Sequence, residues 1–577
     1  MRKLRLLTAG LMLLGTAACK DALNVENTNN PDQGRALNRP SDVENLIASS
    51  YQAVHASTLG GSNDAIQPQA IVMSFESFSN LANFGMSLRS PIPRGALDNT
   101  RNNAANAGNY RDFLGLHRAA RQAAVGLARV YDPNFTFFPS SAAQIARAKA
   151  FGHFCIGTAL GNIALIYESG MPINYQDPAA STNPPPLPLM RYDSLMTYAL
   201  AQLDTAFVYA GLTPTGGNGF PLPNTWIRGQ GLTAPQFQAL IRGYQARFMA
   251  GVARTPAERA AANWPQIITY SNAFVAAFAN DLQVSMDPAA GWDVSWVVQH
   301  FASNQSNWHM GWIFQLGMGD TSGNYDSWLA LTPVANKVPF LIISPDKRLP
   351  QGATRTAQQP TSATATPTVD GSATTNPTGA NYIAYPYYRN RSSADWAGDP
   401  LANGWYDQFR FRAYFNASRI GVYPIMTTAE MRLLAAEGQI RGGLFDAAAA
   451  NINATRVTRG GLPALPNGMA AATPVPGTTK NCVPRIPSGP TTSPAVCGNM
   501  FEAMKWEKRM ETYFTGPYMG YTDNRGWGDL PAGTALFWPV PYQEIDTRQL
   551  MASPPPYTSN VGGVGSPSGA ALGTYGI

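Results

Sequence analysis

The sequence feature that most constrains the fold is the run from residue 427 to residue 461, which reads as two short helices joined by a glycine hinge. Thr427 is followed three residues later by Glu430, which is the spacing of a capping box at a helix start. Apolar or small residues then recur every three to four positions, so each helix has one stripe for packing. Diglycines at 442–443 and 460–461 end the helices, because glycine adopts the left-handed cap conformation without a Cβ penalty.

Comparable helical patterns fill much of the chain before residue 283. They predict helices at 41–57, 110–131, 142–168, 194–210, 235–254 and 264–281. Several of these helices form pairs whose spacing is not constant, which favours degenerate tetratricopeptide-like repeats over a regular array of ~34-residue units. The predicted fold class is mainly α, with tetratricopeptide-like helical repeats and a large irregular, aromatic-rich loop subdomain.

The N-terminus has the pattern of an export signal. Three basic residues precede a short apolar run at 6–14, and Thr16-Ala17-Ala18 leads directly to Cys19. This order predicts a lipoprotein signal peptide over 1–18, with Cys19 as the acylated residue, followed by a polar tether over 19–40. The alternative is an ordinary secretory signal in which Cys19 is incidental. Without residues 1–18 the 41 basic residues lose three and exceed the 35 acidic ones only slightly, which does not favour nucleic-acid binding.

Residues 283–425 interrupt the helical pattern with aromatic and low-complexity sequence. An alternating run at 338–343 predicts a strand, and the segment 354–379 predicts a mobile surface loop. Aromatic rings stack on the C–H faces of sugars, and loops on a rigid scaffold often carry binding sites. We expect roughly two-thirds of these rings to fill the core and about two to four to face a ligand. The ligand-binding candidates are Trp292, Trp296, Trp308, Trp312, Tyr325, Trp328, Tyr385, Tyr387, Trp396, Trp405 and Tyr406.

Motifs in the same order along the chain resemble the SusD/RagB family of outer-membrane nutrient-binding lipoproteins. The strings A-E-M-x-L-L-x-A-E-G, R-G-G-x-F and I-N-x-x-R-x-x-R-G-G in 429–461 resemble the family's signature helix pair. WEKRMETYF at 506–514 and ALFWPVPYQE at 535–544 are similar to two later family motifs, and L-N-V-E-N-x-N-N-P-D resembles the start of mature members. The sequence departs from the pattern at Thr515, where the family has an acidic residue before the glycine.

The resemblance implies an organisation and a function. It implies a SusD-like helical region at 41–282, an irregular ligand-binding insert at 283–425 and a C-terminal SusD/RagB region at 426–577. It implies a lipid-anchored protein of the outer membrane, facing the cell surface, that captures a glycan or peptide and passes it to a TonB-dependent barrel of the SusC type. The protein would act as a non-enzymatic lid. The family's binding face also draws on the early loop, which adds the second-rank candidates Phe75, Phe78, Asn80, Phe84 and Tyr110.

The sequence contains no strong pattern of catalytic residues. Glu430 and Glu437 lie two helical turns apart on one face and are better explained as cap and packing residues than as a hydrolytic carboxylate pair. The five histidines show no metal-ligand spacing, so we expect no catalytic metal and no cofactor, although Asn- and Asp-rich loops could hold a structural calcium ion.

Two cysteines of the exported part predict a disulfide. Cys482 and Cys497 lie 15 residues apart in a loop rich in proline, serine and threonine, and export permits their oxidation. Cys155 lies on a helix stripe and is predicted to be a buried apolar residue. Two other functions stay open: a lipid-anchored glycoside hydrolase, which needs a carboxylate pair, and a tetratricopeptide-type envelope adaptor, which would bind a protein and needs no aromatic insert.

Overall fold

The structure is a computed structural model and describes most of the chain between residues 37 and 548. Within that range the described residues exclude 62–63, 75, 80–88, 90–93, 95–96, 104–106, 136–141, 178–186, 215–216, 218, 298–309, 332–337, 360–367, 370–371, 374–384, 391–404, 490–491 and 532. The predictions made for Cys19, Phe75, Asn80, Phe84, Trp308 and Trp396 lie outside the described residues.

The first part of the chain is a packed array of helices, in agreement with the mainly α prediction. In chain order these are α1 Pro40–Ala56, α2 Ile66–Met73, α3 Ala107–Tyr131, α4 Ala142–Ile166, α5 Tyr192–Ala210, α6 Ala234–Gly251, α7 Pro256–Ala260 and α8 Trp264–Ala277. Helix α6 begins with a complete capping box between Thr233 and Gln236. Neighbouring helices pack in sequence, with α3 and α5 both against α4.

Small residues let these helices approach one another closely. A Cβ at Gly152 of α4 would lie 2.6 Å from Leu127 of α3, and one at Gly157 would lie 2.7 Å from Leu203 of α5. The helix α4 is buried along nearly its whole length and is the centre of the main core. It is also the one described helix that is long and apolar enough to cross a membrane, and its burial identifies it as a core helix.

Helices in the rest of the chain are shorter and more dispersed. They are α9 Ile313–Leu316, α10 Asn324–Ala330, α11 Arg412–Asn416, α12 Thr428–Arg441, α13 Phe445–Arg456, α14 Met500–Thr512, α15 Met519–Trp527 and α16 Tyr542–Thr547. The signature pair is α12 and α13, as the sequence predicts, and Gly443 between them has a φ of 75°. Thr427 caps α12 by accepting from the amide of Glu430.

Glu430 does not complete the predicted capping box, because its carboxylate has another partner. Both of its oxygens accept from Arg247 of α6 at 2.7 Å, and both side chains are buried. Two helical turns further along α12, Glu437 forms the same two-point contact with Arg259 of α7. The signature pair is therefore joined to the N-terminal helices by two buried ion pairs, and neither glutamate is available for catalysis.

The strands form small two-stranded sheets. They are β1 Ser169–Gly170, β2 Met190–Arg191, β3 Leu282–Met286, β4 Thr368–Val369, β5 Ser372–Ala373, β6 Tyr388–Asn390, β7 Tyr406–Gln408, β8 Gly421–Met426, β9 Arg485–Gly489 and β10 Thr492–Cys497. Strand β3 pairs antiparallel with β8, so the chain enters and leaves the predicted insert through one sheet. The predicted strand at 338–343 is wrong, because these residues have no regular secondary structure.

A second hydrophobic core lies inside the insert and is separate from the main core. It brings the hairpin β6–β7 together with α9, α10 and the Trp506 face of α14. Near it, Cys482 and Cys497 form the predicted disulfide, with their Cα atoms 5.7 Å apart. Cys155 is buried in the main core, as predicted.

Candidate functional site

Most of the aromatic candidates that the structure describes are part of the protein's cores. Trp292 packs against His55 of α1, and Trp296 donates its indole N–H to the carbonyl of Leu59 at 2.9 Å. The candidates whose side chains are 4 % exposed or less are Trp292, Trp296, Trp312, Tyr325, Trp328, Tyr387, Tyr406 and Phe78. As folded, these eight rings are structural, because neighbouring protein covers them.

The buried tyrosine candidates Tyr325 and Tyr406 form hydrogen bonds within the protein. Tyr325 donates to the carbonyl of Phe314 at 2.8 Å, and its ring stacks on Trp328. Tyr406 donates to Gln358 at 2.9 Å and accepts from the amide of Ile342 at 2.8 Å. Because buried polar groups need partners, such contacts fix the loops of the insert rather than leaving the hydroxyls available to a ligand.

Three described candidates are only half-buried: Tyr110, Tyr385 and Trp405. Tyr110 lies at the start of α3, in the helical array. Tyr385 and Trp405 lie at the β6–β7 hairpin, where β6 runs antiparallel to β7 with Asn390 opposite Tyr406. Trp405 directly precedes β7 and Tyr385 lies three residues before β6. In an antiparallel pair these two positions fall toward opposite ends of the hairpin.

The Trp405 end of the hairpin has the chemistry of a sugar-binding platform. The guanidinium of Arg355 lies over the Trp405 ring, 4.6 Å from its centroid, and the Arg355 Nε donates to Asn390 at 3.1 Å. The indole N–H of Trp405 has no hydrogen-bond acceptor in the described part of the protein. The indole N–H is itself buried, but the rest of the ring is partly exposed, and an exposed ring edge beside a planar cation can contact a sugar.

Sequence reasoning did not identify Arg355 and Asn390 as site residues. Arg355 belongs to the segment 354–379, which the composition predicts to be a mobile loop. Its first residues instead form a turn held by Gln358, whose side-chain amide donates to the carbonyls of Ile342 and Gly352 at 2.8 and 3.0 Å. No periodicity marks a turn that is stabilised by contacts distant in sequence.

The Tyr385 end of the hairpin rests on a buried charge network. Tyr385 stacks on Tyr387 with ring centroids 5.7 Å apart, and the Tyr387 hydroxyl donates to Glu511 at 3.2 Å. Burial alone would raise the pKa of Glu511, but the guanidinium groups of Arg459, Arg410 and Arg348 lower it to about 2. Burial, with the nearby Glu511 charge, raises the pKa of Tyr385 to about 12, so the phenol stays a neutral donor.

Arg348 is the centre of this network. It contacts Glu507 of α14 at 2.6 and 2.9 Å, Asp346 at 2.7 and 2.9 Å and Glu511 at 3.0 Å. Glu507 also accepts from Thr455 of α13 at 2.9 Å. The network thus attaches the hairpin to α14 and to the signature pair, which gives the site a rigid support.

Acidic side chains of the insert organise turns. Asp320 accepts from the amides of Gly323, Tyr325 and Ile343 at 2.9 to 3.2 Å. Asp326 accepts from Arg485 and from the amide of Ala495, both at 2.7 Å. Across the described residues there is no group of three or more histidine, cysteine, aspartate or glutamate side chains arranged to hold a metal ion.

Comparison with known proteins gives matches among solved structures. No protein-family model and no curated protein matches the chain. A SusD superfamily protein from Bacteroides vulgatus ATCC 8482 matches with 15% identity and a TM-score of 0.46, over 89% of this chain and 97% of that one. A SusD superfamily protein from Parabacteroides distasonis ATCC 8503 matches with 10% identity and a TM-score of 0.49, over 88% and 97% of the two chains.

A laminarin-binding SusD-like protein also matches, with 13% identity and a TM-score of 0.45, over 88% of this chain and 97% of that one. The solved structures that this chain resembles are SusD superfamily proteins, the family that its sequence motifs also resemble.

Proposed function

We propose that the chain is a SusD-like lipoprotein that binds a glycan at the β6–β7 hairpin, around Trp405, Arg355 and Asn390. The observation that carries this proposal is the half-buried Trp405, whose ring is partly exposed beside the guanidinium of Arg355. The laminarin-binding SusD-like protein among the solved structures that the chain resembles supports the same ligand class.

The proposed role is capture and delivery without chemistry. Acylation at Cys19 would hold the protein at the outer membrane, and the protein would pass its glycan to a TonB-dependent barrel of the SusC type. It would act as a lid whose closed state a ligand stabilises only by its differential affinity for that state. Peptide remains the other ligand class, and a structural calcium ion remains a prediction; the proposal needs neither a cofactor nor a metal.

Glycan binding is tested by titrating the purified full chain with a panel of soluble glycans that includes laminarin and starch. For a glycan that binds, Trp405→Ala should weaken binding by about 2 kcal/mol, roughly thirtyfold in Kd. Trp405→Phe should lose less, because it keeps an aromatic face, although a smaller one.

Tyr110→Ala is the matched control, because Tyr110 is also half-buried but lies in the helical array. Unchanged affinity in Trp405→Ala, together with a loss in Tyr110→Ala, would move the binding site to the early part of the chain. If Trp405→Ala and Tyr110→Ala both bind like the unaltered chain, the hairpin hypothesis is wrong.

The partner is tested separately. The tagged, acylated protein is purified from native membranes in mild detergent, and the proteins that accompany it are identified by mass. We expect a TonB-dependent barrel in near-equal amount. Periplasmic assembly factors in place of a barrel would favour the adaptor function.

A further inference from the structure

A cluster of half-buried tyrosines lies on the helical array, outside the insert that carries the proposed glycan site. Tyr131 at the end of α3 stacks on Tyr175 with ring centroids 4.2 Å apart. The ammonium of Lys149 on α4 lies 3.9 Å from the centre of the Tyr131 ring and 5.4 Å from that of Tyr209 on α5. Beside the rings, Val208 is 60% exposed and Leu212 is 43% exposed. These six residues are the tyrosine patch.

The rings of the patch are held in place from beneath. His153 of α4 contacts the Tyr131 hydroxyl at 3.0 Å through one ring nitrogen and Gln202 of α5 at 2.7 Å through the other. The Tyr209 ring stacks on His153 at 7° between planes. The patch is therefore a preformed surface of aromatic, aliphatic and ammonium groups.

The patch lies at the end of the helical array where the described chain begins. The Nε of Arg129, in the last turn of α3, donates to the carbonyl of Leu37 at 3.4 Å. Arg147 of α4 forms an ion pair with Glu44 in the second turn of α1. The start of α1, the end of α3, the start of α4 and the end of α5 thus meet at one end of the array, where Leu37 is the first described residue.

From this placement we propose that the tyrosine patch contacts the lipid surface to which the chain is anchored. Between Cys19 and Leu37 the chain spans at most ~60 Å even when fully extended. The opposite end of α4 lies a further ~37 Å away. The tether joins the array at the end that carries the patch, so this end reaches the membrane with less chain than the opposite end needs.

The composition of the patch fits a membrane interface. Tyrosine is enriched where one end of a side chain is apolar and the other is wet, which is the level of the lipid headgroups. A lysine can lay its apolar stem along such a surface and direct its ammonium to headgroup phosphates. Among the described residues, Lys149 has no carboxylate within ion-pair distance, so its ammonium can make that contact.

A weak patch is sufficient because the anchor raises its local concentration at the membrane. A tethered second contact is effectively intramolecular, so it contributes without high intrinsic affinity. The contact would hold the end of the array that carries the patch at the membrane. The inference rests on the proposed anchor at Cys19 and is independent of glycan binding.

The test places an environment-sensitive NBD label on the patch of the acylated full chain. Val208→Cys supplies one exposed thiol, because Cys155 is buried and Cys482 and Cys497 are bonded to each other. The matched control is Ile420→Cys, since Ile420 is 55% exposed. Ile420 adjoins Arg419, which pairs with Asp293, and the Asp293 carbonyl contacts His55 at the far end of α1.

Both labelled proteins are bound to mixed phosphatidylcholine and phosphatidylglycerol vesicles, and binding is measured by sedimentation. We expect the label at 208 to shift to shorter wavelength and to be quenched by brominated lipid, while the label at 420 stays in water. A label at Leu212→Cys should behave like that at 208.

Labels at 208 and 212 that stay in water on vesicles that carry the protein overturn the inference, as does an equal shift at 420. Labels that stay in water on vesicles but are shielded in native membranes would assign the patch to a protein partner and also overturn it. Failure to sediment would refute the anchor, and the inference with it, whereas glycan affinity is measured independently in the titration.

Discussion

Arg259 on α7 and Glu437 on α12 form a two-point ion pair, with nitrogen–oxygen distances of 3.0 and 2.6 Å, in which both side chains are fully buried. Asp523 of α15 adds a third contact to Arg259 at 3.0 Å. Three segments far apart in sequence therefore meet at one guanidinium. Burial would raise the pKa of Glu437, but Arg259, Arg441 and Lys508 lower it to about 2, so the pair is charged at neutral pH.

Glu437→Gln should destabilise the protein by about 3 kcal/mol, because removing one partner of a buried pair leaves the other charge poorly compensated. Urea unfolding, followed by far-ultraviolet circular dichroism, measures this loss. Asp193→Asn is the control, since Asp193 and Arg191 form an exposed pair at 3.5 Å. The urea midpoint of Asp193→Asn should equal that of the unaltered chain. A midpoint for Glu437→Gln that equals that of the control would show that the pair contributes no net stability.

Gly161→Ala tests the close packing of the helical array. A Cβ at Gly161 of α4 would overlap the ring of Phe248 on α6. Overpacking of this kind costs about 1–3 kcal/mol, so the melting temperature should fall. Gly231→Ala is the matched control, because the nearest atom to its Cβ is a carbonyl oxygen 3.7 Å away. Equal melting temperatures for the two variants would contradict the packing argument.

Because of Glu76, the free energy of unfolding should decrease as the pH rises. Its carboxylate is buried and accepts from the amide of Phe514, a residue with a left-handed φ of 64°. Burial raises the pKa of Glu76 to about 8 from 4.5, against the lowering effects of the Phe514 amide and the Ser74 hydroxyl. Between these two pH values the folded protein holds a proton that the unfolded chain has released, so the free energy of unfolding decreases with pH.

Glu76→Gln removes this titration and keeps an acceptor for Phe514. The variant should therefore gain stability relative to the unaltered chain between about pH 5 and about pH 8. Urea midpoints for both proteins across that range give the difference directly, because all other titrating groups are common to both. Parallel pH profiles would mean that Glu76 does not change its proton occupancy on unfolding.

The disulfide between Cys482 and Cys497 should stabilise the β9–β10 hairpin. Cys482 lies shortly before β9, and Cys497 is the last residue of β10. Closing a loop of 15 residues lowers the entropy of the unfolded chain and so raises its free energy by about 3 kcal/mol. Replacing both cysteines by serine should lower the urea midpoint, and the unaltered chain with reducing agent should match that variant. Cys155→Ala keeps the bridge and is the control. No difference between oxidised and reduced protein would contradict the expected contribution.

The sequence by itself determined the helical elements and the local chemistry that begins and ends them. The helices at 110–131, 142–168 and 427–461 were predicted within a few residues, because an apolar stripe and its caps are local properties of the chain. The pairing of Cys482 with Cys497 followed equally from their spacing and from the predicted export signal. The motifs that resemble the SusD/RagB family lie mainly in such helices, above all in the pair α12–α13.

Only the tertiary structure decided which aromatic rings are available to a ligand. Trp312 and Trp405 are both tryptophans of the same insert, yet Trp312 is buried in the second core and Trp405 is half-buried at its edge. Whether a ring is covered depends on residues distant in the chain, such as Phe78 against Trp312 and Arg355 over Trp405. Glu430 shows the same rule: its spacing from Thr427 predicted a cap, and Arg247, 183 residues away, took the carboxylate instead. Burial and ion pairing are set by contacts that no local pattern encodes.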